Sequence, residues 1–378
     1  MPAKPITIEE AERRIGAINA AIRAGHFNLH RACAAAGEVL GISPITLRSG
    51  LPIIKRAYGM EPMDFPAVQP LVATPKPFET GGLPDVDLSA EEIIHYRKRQ
   101  FAQKREAHES RKLIPVKVKI GGPYGIAHFG DPHVDDDGTD LDLIERHMRV
   151  VNATEGLFGA TVGDVTNNWI GRLARLYGEQ GTTARQAWKL AEWFVNGVSW
   201  LYMIAGNHDC WSGAGDPLKW MTRANPSIYE EHGARLGLQS PDGRVIRVNA
   251  RHDFRGNSMW NTAHGPAKAV QMGWRDHLLT CGHTHTSGYQ VLKDPSSGLI
   301  SHALRVASYK TYDRHAEEKG LPDQNIFMCP VTIIDPQYGD DDRRCVVTIF
   351  DPEEGADFLT WKRAKWKQGK RHTARKAA

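Results

Sequence analysis

Polar residues with metal-binding chemistry recur at the ends of apolar runs in this chain. HFGDPHV places Asp131 and His133 after an apolar run, TVGDV places Asp164, and IAGNHD places Asn207, His208 and Asp209. NARHDF places His252, and LLTCGHTHTSG places His283 and His285 in G-H-x-H spacing. Imidazole and carboxylate donors without thiolate suit divalent Mn, Fe, Zn or Ni. The set exceeds what one ion needs, and two ions sharing one carboxylate fit it better. Asp164, the lone acid of its loop, is the candidate for sharing. Paired ions can clamp the attacking and leaving oxygens of an in-line phosphoryl displacement.

Such residues must be held by something rigid. Apolar β-type runs (IPVKVKI, YGIAHFG, LFGATVG, WLYMIAG, RVIRVNARH, HLLTCGH) alternate with helical stretches near 140–153 and 171–197. That alternation predicts an α/β fold with the polar residues in loops at one sheet edge, where ligands of open α/β sheets collect. Beyond residue 288 the chain reads as strand-rich, with a hairpin turn at DPSSG.

The ordered blocks D-x-H, G-D, G-N-H-D, H and G-H-x-H across residues 131–285 resemble the signature of the calcineurin-like metallophosphoesterase superfamily. The resemblance covers roughly residues 114–350. It implies a four-layer α-β-β-α sandwich with the site at the strand ends. It also implies that Asp131, His133 and His285 hold a first metal, that Asn207, His252 and His283 hold a second, and that Asp164 bridges them. His208 would meet the phosphate and protonate the leaving oxygen, with Asp209 orienting it, and metal-activated water would attack. Manganese is the favoured ion, with Fe, Zn or Ni as alternatives. At the fourth block the family usually shows His followed by Gly. His264 has that glycine, but His252 directly follows an apolar strand and is preferred. Arg255, Asn257, Tyr309 and Lys310, in two polar stretches beyond the strands, are candidate phosphate contacts. The acids of DDDGTDLD lack the spaced glutamate and helix pair of an EF-hand and read as the approach to a helix N-terminus.

Four segments are expected. Residues 1–60 read as a helical domain, 61–113 as a proline-rich linker and basic helix, 114–360 as the phosphoesterase domain, and 361–378 as a basic tail. Thr7 caps a first helix over 7–24. An alanine-rich helix then stops at Gly41, and Ser43 caps a third that opens on Pro44. The run A-x-x-L-G-I-S-x-x-T-L resembles the helix-turn-helix of small bacterial and phage DNA-binding proteins. Gly50 and Pro52 are expected to end that third helix early. Pro62, Pro66, Pro70, Pro75, Pro77 and Pro84 mark the linker, and Ser89 with Glu92 forms a capping box opening a helix to about residue 112.

The 378 residues are 41% hydrophobic and 24% charged, an ordinary globular composition. No run approaches the roughly 18 apolar residues of a membrane span. The first residues lack the apolar core of a secretory signal. Cys33, Cys210, Cys281, Cys329 and Cys345 are scattered and form no CxxC pair, so no disulfide framework or structural zinc is expected and the chain reads as cytoplasmic. Net charge is +4 for residues 1–60, −7 for 114–360 and +8 for 361–378. Basic ends could hold a DNA backbone while a metal-filled acidic centre cuts it. The leading expectation is therefore a DNA-directed phosphodiesterase or nuclease. Hydrolysis of small nucleotides or cyclic nucleotides is an alternative, as is a DNA-binding or assembly protein with a vestigial metal site. The protein-phosphatase motif GDYVDRG is absent.

Overall fold

The computed structural model describes residues 6–26, 28–65, 87–167, 178, 180–209, 217–223, 225, 227–231, 233–312, 317–318, 320 and 325–377, with side chains to residue 370. Two compact units divide the chain, Met1–Leu88 and Ser89–Ala378.

The first unit is three helices: α1 (Ile8–Arg23), α2 (Leu29–Leu40) and α3 (Pro44–Tyr58). Each opens on a side-chain cap, from Thr7, Asn28 and Ser43. Gly41 closes α2 with a left-handed φ of 67°, which only glycine adopts at little cost. Ile18, Ile22, Ala32, Cys33, Ala36 and Leu47 form its core. The early break expected of α3 does not occur: the helix runs through Gly50 and Pro52 to Tyr58. Leu47, Gly50 and Ile54 are buried along one face. That tertiary burial outweighs the roughly 3 kcal/mol preference against an interior proline. The expected linker lies largely outside the described residues, at 66–86.

The second unit begins with α4 (Ala90–Arg111), opened by the Ser89/Glu92 capping box; none of its residues is buried. Two six-stranded mixed sheets follow. One has the order β1 (Ile114–Lys117), β6 (Gly233–Gln239), β7 (Val245–Arg251), β8 (Leu278–Cys281), β10 (Ile300–Arg305), β9 (Gly288–Lys293). The other runs β12 (Val346–Ile349), β11 (Val331–Ile334), β2 (Tyr124–Phe129), β3 (Leu157–Thr161), β4 (Trp200–Ile204), β5 (Ile228–Glu230). All six predicted strand runs are present. The DPSSG turn joins β9 to β10 as an antiparallel hairpin.

The sheets pack face to face through Tyr124, Ile126, Ala160 and Tyr202 on one side and Leu236, Leu238, Ile246 and Val248 on the other. Helices α5 (Leu141–Ala153), α6 (Ala184–Asn196) and α9 (Pro352–Ala377) cover the outer face of the second sheet, whose core includes Phe129, Ile144, Phe194 and Leu359. Helix α8 (His264–Gln271) covers the first sheet over Leu279 and Cys281. A short α7 (Pro217–Met221) precedes β5. The result is the four-layer sandwich that the motif order implied.

The expected basic tail is not separate from the body. Residues 361–377 continue α9. Lys362 pairs with Asp335, while Arg363, 5% exposed, pairs with Glu155 and donates to the Pro123 carbonyl; Lys367 also pairs with Glu155. An apolar stripe through Leu359 drew the segment onto the sheet, and these cations found acids there. Among the described residues, no helix is long and apolar enough to cross a membrane.

Candidate metal centre

Five strands deliver the site at their carboxyl ends. Asp131 and His133 follow β2, Asp164 follows β3, Asn207 follows β4, His252 follows β7, and His283 and His285 follow β8. The loops carrying them are conformationally unusual. Among the described residues four non-glycine residues have positive φ: His133 (40°), Asp164 (52°), His283 (69°) and His285 (52°). All four belong to the set singled out from the sequence. Such backbone costs of order 1–3 kcal/mol per residue and persists only where its surroundings enforce it.

The motif glycines have a steric role. A Cβ on Gly163 would lie 2.6 Å from His252 Nδ1, and one on Gly282 would lie 2.3 Å from Asp131 Oδ1. Only glycine lets one ligand's backbone pass so close to another ligand's side chain.

Two groups of donors converge. Asp131, His133 and His285 form one, and Asp164, His252 and His283 form the other. In the first, His133 Nε2 and His285 Nε2 approach to 3.1 Å, and His285 Nε2 lies 3.5 Å from Asp131 Oδ2. In the second, His252 Nε2 lies 3.0 Å from His283 Nδ1, 3.2 Å from Asp164 Oδ2 and 2.9 Å from Asn207 Oδ1. Asp164 Oδ2 also faces His133 Nε2 at 4.0 Å, so this one oxygen addresses both groups. Its Oδ1 accepts the backbone N–H of His208. His252, not His264, joins the cluster; His264 opens α8.

The electrostatics suit cations. Asp131 and Asp164 are buried, and Asp131 Oδ1 has no hydrogen-bond partner among the described residues. Burial, with the Asp164 charge adding to it, raises the Asp131 pKa to about 6. Burial also tends to raise that of Asp164, but His252 outweighs it and holds the carboxyl at about 2. Burial would depress the His252 pKa, yet the Asp164 carboxylate beside it lifts it to about 10. Burial drives His133 well below the usual imidazole range, leaving it neutral and able to donate a lone pair. Converging lone pairs, an orphaned carboxylate oxygen and close acid–imidazole contacts fit divalent metal ions.

The sequence matches no family profile and no curated protein. Several solved structures are similar in part. A predicted phosphoesterase from Streptococcus pneumoniae TIGR4 shares 10% identity over 61% of this chain and 100% of its own, with a TM-score of 0.27. The calcineurin-like phosphoesterase YfkN of Bacillus subtilis shares 10% over 67% and 99%, with a TM-score of 0.33. The NAD nucleotidase of Haemophilus influenzae shares 11% over 60% and 49%, with a TM-score of 0.32. At such identities and scores these likenesses assign neither family nor activity to this chain.

His208 lies beside the first group, its ring centroid 5.2 Å from that of His133. Its expected partner is corrected by the structure. His208 Nδ1 meets the backbone carbonyl of Asn167, not Asp209. The Asp209 carboxylate instead accepts N–H bonds from Gly206 and Val165, each at 2.8 Å, and from Thr166 at 3.4 Å. It ties the loop after β3 to the loop after β4. The adjacency in G-N-H-D suggested a pair, but the turn there sends the two side chains in different directions.

The proposed substrate contacts fare differently. Tyr309 is fully buried, stacked on Phe129 with its hydroxyl on His147 Nδ1, so it belongs to the core. Lys310 is 5% exposed and pairs with Asp136 at 3.0 Å, which corrects its reading as an open phosphate contact. Arg255 and Asn257 stand exposed on the loop after His252. The acidic run does approach a helix, with Asp140 capping α5. Its earlier members brace Asn167: Asp135 accepts the Asn167 N–H and Asp136 its side-chain amide.

Arg305 was missed. It is 2% exposed and donates to the Gly282 carbonyl (2.8 Å), Thr284 Oγ1 (2.8 Å) and Asp253 Oδ1 (3.1 Å). One guanidinium thereby joins the loop of His283 and His285 to the residue after His252. The available signal was a lone charge inside the apolar run HALRVAS, which reads as a buried, partnered group.

Proposed function

We propose that this chain is a metal-dependent phosphoric ester hydrolase of the calcineurin-like type, acting on phosphodiesters of DNA. The observation that carries the hydrolase reading is the convergence of seven separately encoded residues into two donor groups around Asp164 Oδ2. The first ion would be held by Asp131, His133, His285 and Asp164, and the second by Asp164, Asn207, His252 and His283. Two such ions, with manganese the favoured identity, supply Lewis acidity toward phosphoryl oxygens and an activated water.

The protein's own part is positioning and proton transfer. Asn167 O fixes the His208 tautomer by accepting from Nδ1–H, which assigns proton donation to Nε2. Protonating the leaving oxygen from there avoids expelling an unstable alkoxide. Asp209 holds the loop of His208 in register with Asp164. Support for DNA as substrate comes from the helix-turn-helix-like α2–Gly41–α3 segment, whose third helix exposes Ile45, Thr46, Arg48 and Ser49. Cleavage of labelled single- and double-stranded DNA with Mn²⁺, beside an aryl phosphodiester and a phosphomonoester, tests the reading. Hydrolysis of the aryl diester without DNA cleavage would move the assignment to small nucleotides. No hydrolysis at all in the metal-loaded protein would defeat it.

A further inference from the structure

A second cleft, of about 690 Å³, has residues at the carboxyl ends of β5 and β7 in its lining and shares none of the metal centre's ligands. Two backbone links fix its place. Arg251, which lines it, immediately precedes His252. The carbonyl of Glu230, another lining residue, accepts the N–H of Ala205, two residues before Asn207. The cleft therefore lies at the same strand ends as the metal centre. On its far wall the last turns of α4 contribute His108, Arg111 and Lys112. This is the basic helix that buries none of its residues and that a folding role leaves unexplained.

Five Lys or Arg residues line the cleft against two glutamates, and their pairing decides which charges remain. Arg111 pairs with Glu230, Lys219 with Glu231 and Lys112 with Glu109. Arg235 makes a two-pronged contact with the buried Asp276. Arg251 has no acidic partner among the described residues. Aromatic rings orient it instead: its guanidinium carbon lies 5.4 Å from the Trp274 ring centroid and 5.8 Å from that of Phe254. Cation–π contacts hold a guanidinium in place without neutralising it. A planar, oriented, uncompensated guanidinium is the group that recognises phosphate in two-pronged fashion.

We propose that this cleft binds a phosphodiester flanking the scissile one, with Arg251 as its phosphate contact, so that the substrate is a nucleic-acid strand and not a free nucleotide. The proposal rests on the phosphodiesterase reading of the metal centre. A free nucleotide reaches the metals with no second phosphodiester to place here, whereas a strand running across the strand ends carries one past Arg251.

The test compares Arg251→Gln with Arg247→Gln. Arg247 lies on the same strand and pairs with Asp276, but it does not line the cleft, so both variants lose one charge. Binding of a fluorescein-labelled oligo(dT) to the full-length protein is read by anisotropy in EDTA, over a range of salt. Arg251→Gln is expected to lose about tenfold in affinity, as for a charge-assisted hydrogen bond. Its salt dependence should flatten by about 0.7, as for one single-strand contact. Arg247→Gln should match the parent protein, and Arg251→Lys should recover part of the loss. With Mn²⁺, hydrolysis of an aryl diester should be equal in the parent and all three variants. Equal strand binding by Arg251→Gln and the parent protein, or an equal loss in Arg247→Gln, overturns the proposal. A parent protein that cleaves the aryl diester but binds no strand overturns it too, and leaves the hydrolase reading standing. A parent protein that cleaves no diester removes that reading itself.

Discussion

The two donor groups use the same residue types but sit at different depths. Asp131 and His133 are almost wholly buried, and the His285 side chain is 22% exposed. In the other group Asp164 is buried and His252 nearly so, but His283 is exposed and Asn207 with it. Burial strips competing water from the donors and slows exchange, whereas an open side admits substrate. The comparison teaches a division of labour. With ions bound, the deep group would release its ion more slowly than the open group, whose exposed side is the one a substrate could reach.

The heaviest blow to this comparison is Asp164→Asn, because Asp164 Oδ2 alone addresses both groups. Metal content by elemental analysis should fall for both ions and hydrolysis should vanish. Retention of two metals with full turnover would remove Asp164 from the centre. Next is His208→Asn, which should keep both metals but lower turnover by about two to four orders of magnitude, the usual worth of a positioned acid. The loss should shrink for aryl esters, whose leaving groups need little protonation. Metal loss in this variant would make His208 a ligand.

Smaller effects sharpen the difference in depth. Removing Arg305 as Arg305→Met unties the loop of His283 from that of His252. Affinity for the second ion should drop about 10–100-fold, the range for groups that orient ligands, while Arg305→Lys recovers part of it. Titration of the metal-free protein with Mn²⁺, followed by the paramagnetic signal, reads both steps. An equal drop for both ions would show a general loosening. In the unsubstituted protein, timed dialysis against chelator should release one ion per chain well before the other, and His283→Ala should abolish only the faster phase. At the bottom of the scale, His264→Ala should change neither stoichiometry nor affinity, since His264 opens α8 and joins neither group.

Much of this is legible in the amino-acid sequence. Helix caps at Thr7, Ser43 and Ser89 are local hydrogen bonds between residues three apart, so their signal lies in adjacent letters. The strand runs announced themselves by apolar character. Errors arose where distant segments decide. Pro52 stays in a helix because burial across the three-helix unit overrides propensity. Tyr309 looks polar in the string ASYKTYDRH but enters the core, where His147 satisfies its hydroxyl. The cations of 361–370 found Asp335 and Glu155, which lie 27 and more than 200 residues away in the chain.

The sequence by itself determined the element types, the donor residues and the kind of ion they suit, because turn chemistry, apolar periodicity and ligand hardness are properties of single residues and their near neighbours. Only the tertiary structure decided that the donors converge in two groups around Asp164 Oδ2, that Asn167 and not Asp209 orients His208, that Arg305 ties the ligand loops together, and that Arg251 has no acid beside it among the described residues. Each of those depends on groups brought within about 3–6 Å from separate segments, where a carboxylate, a carbonyl or an aromatic ring as neighbour settles what a charge can do.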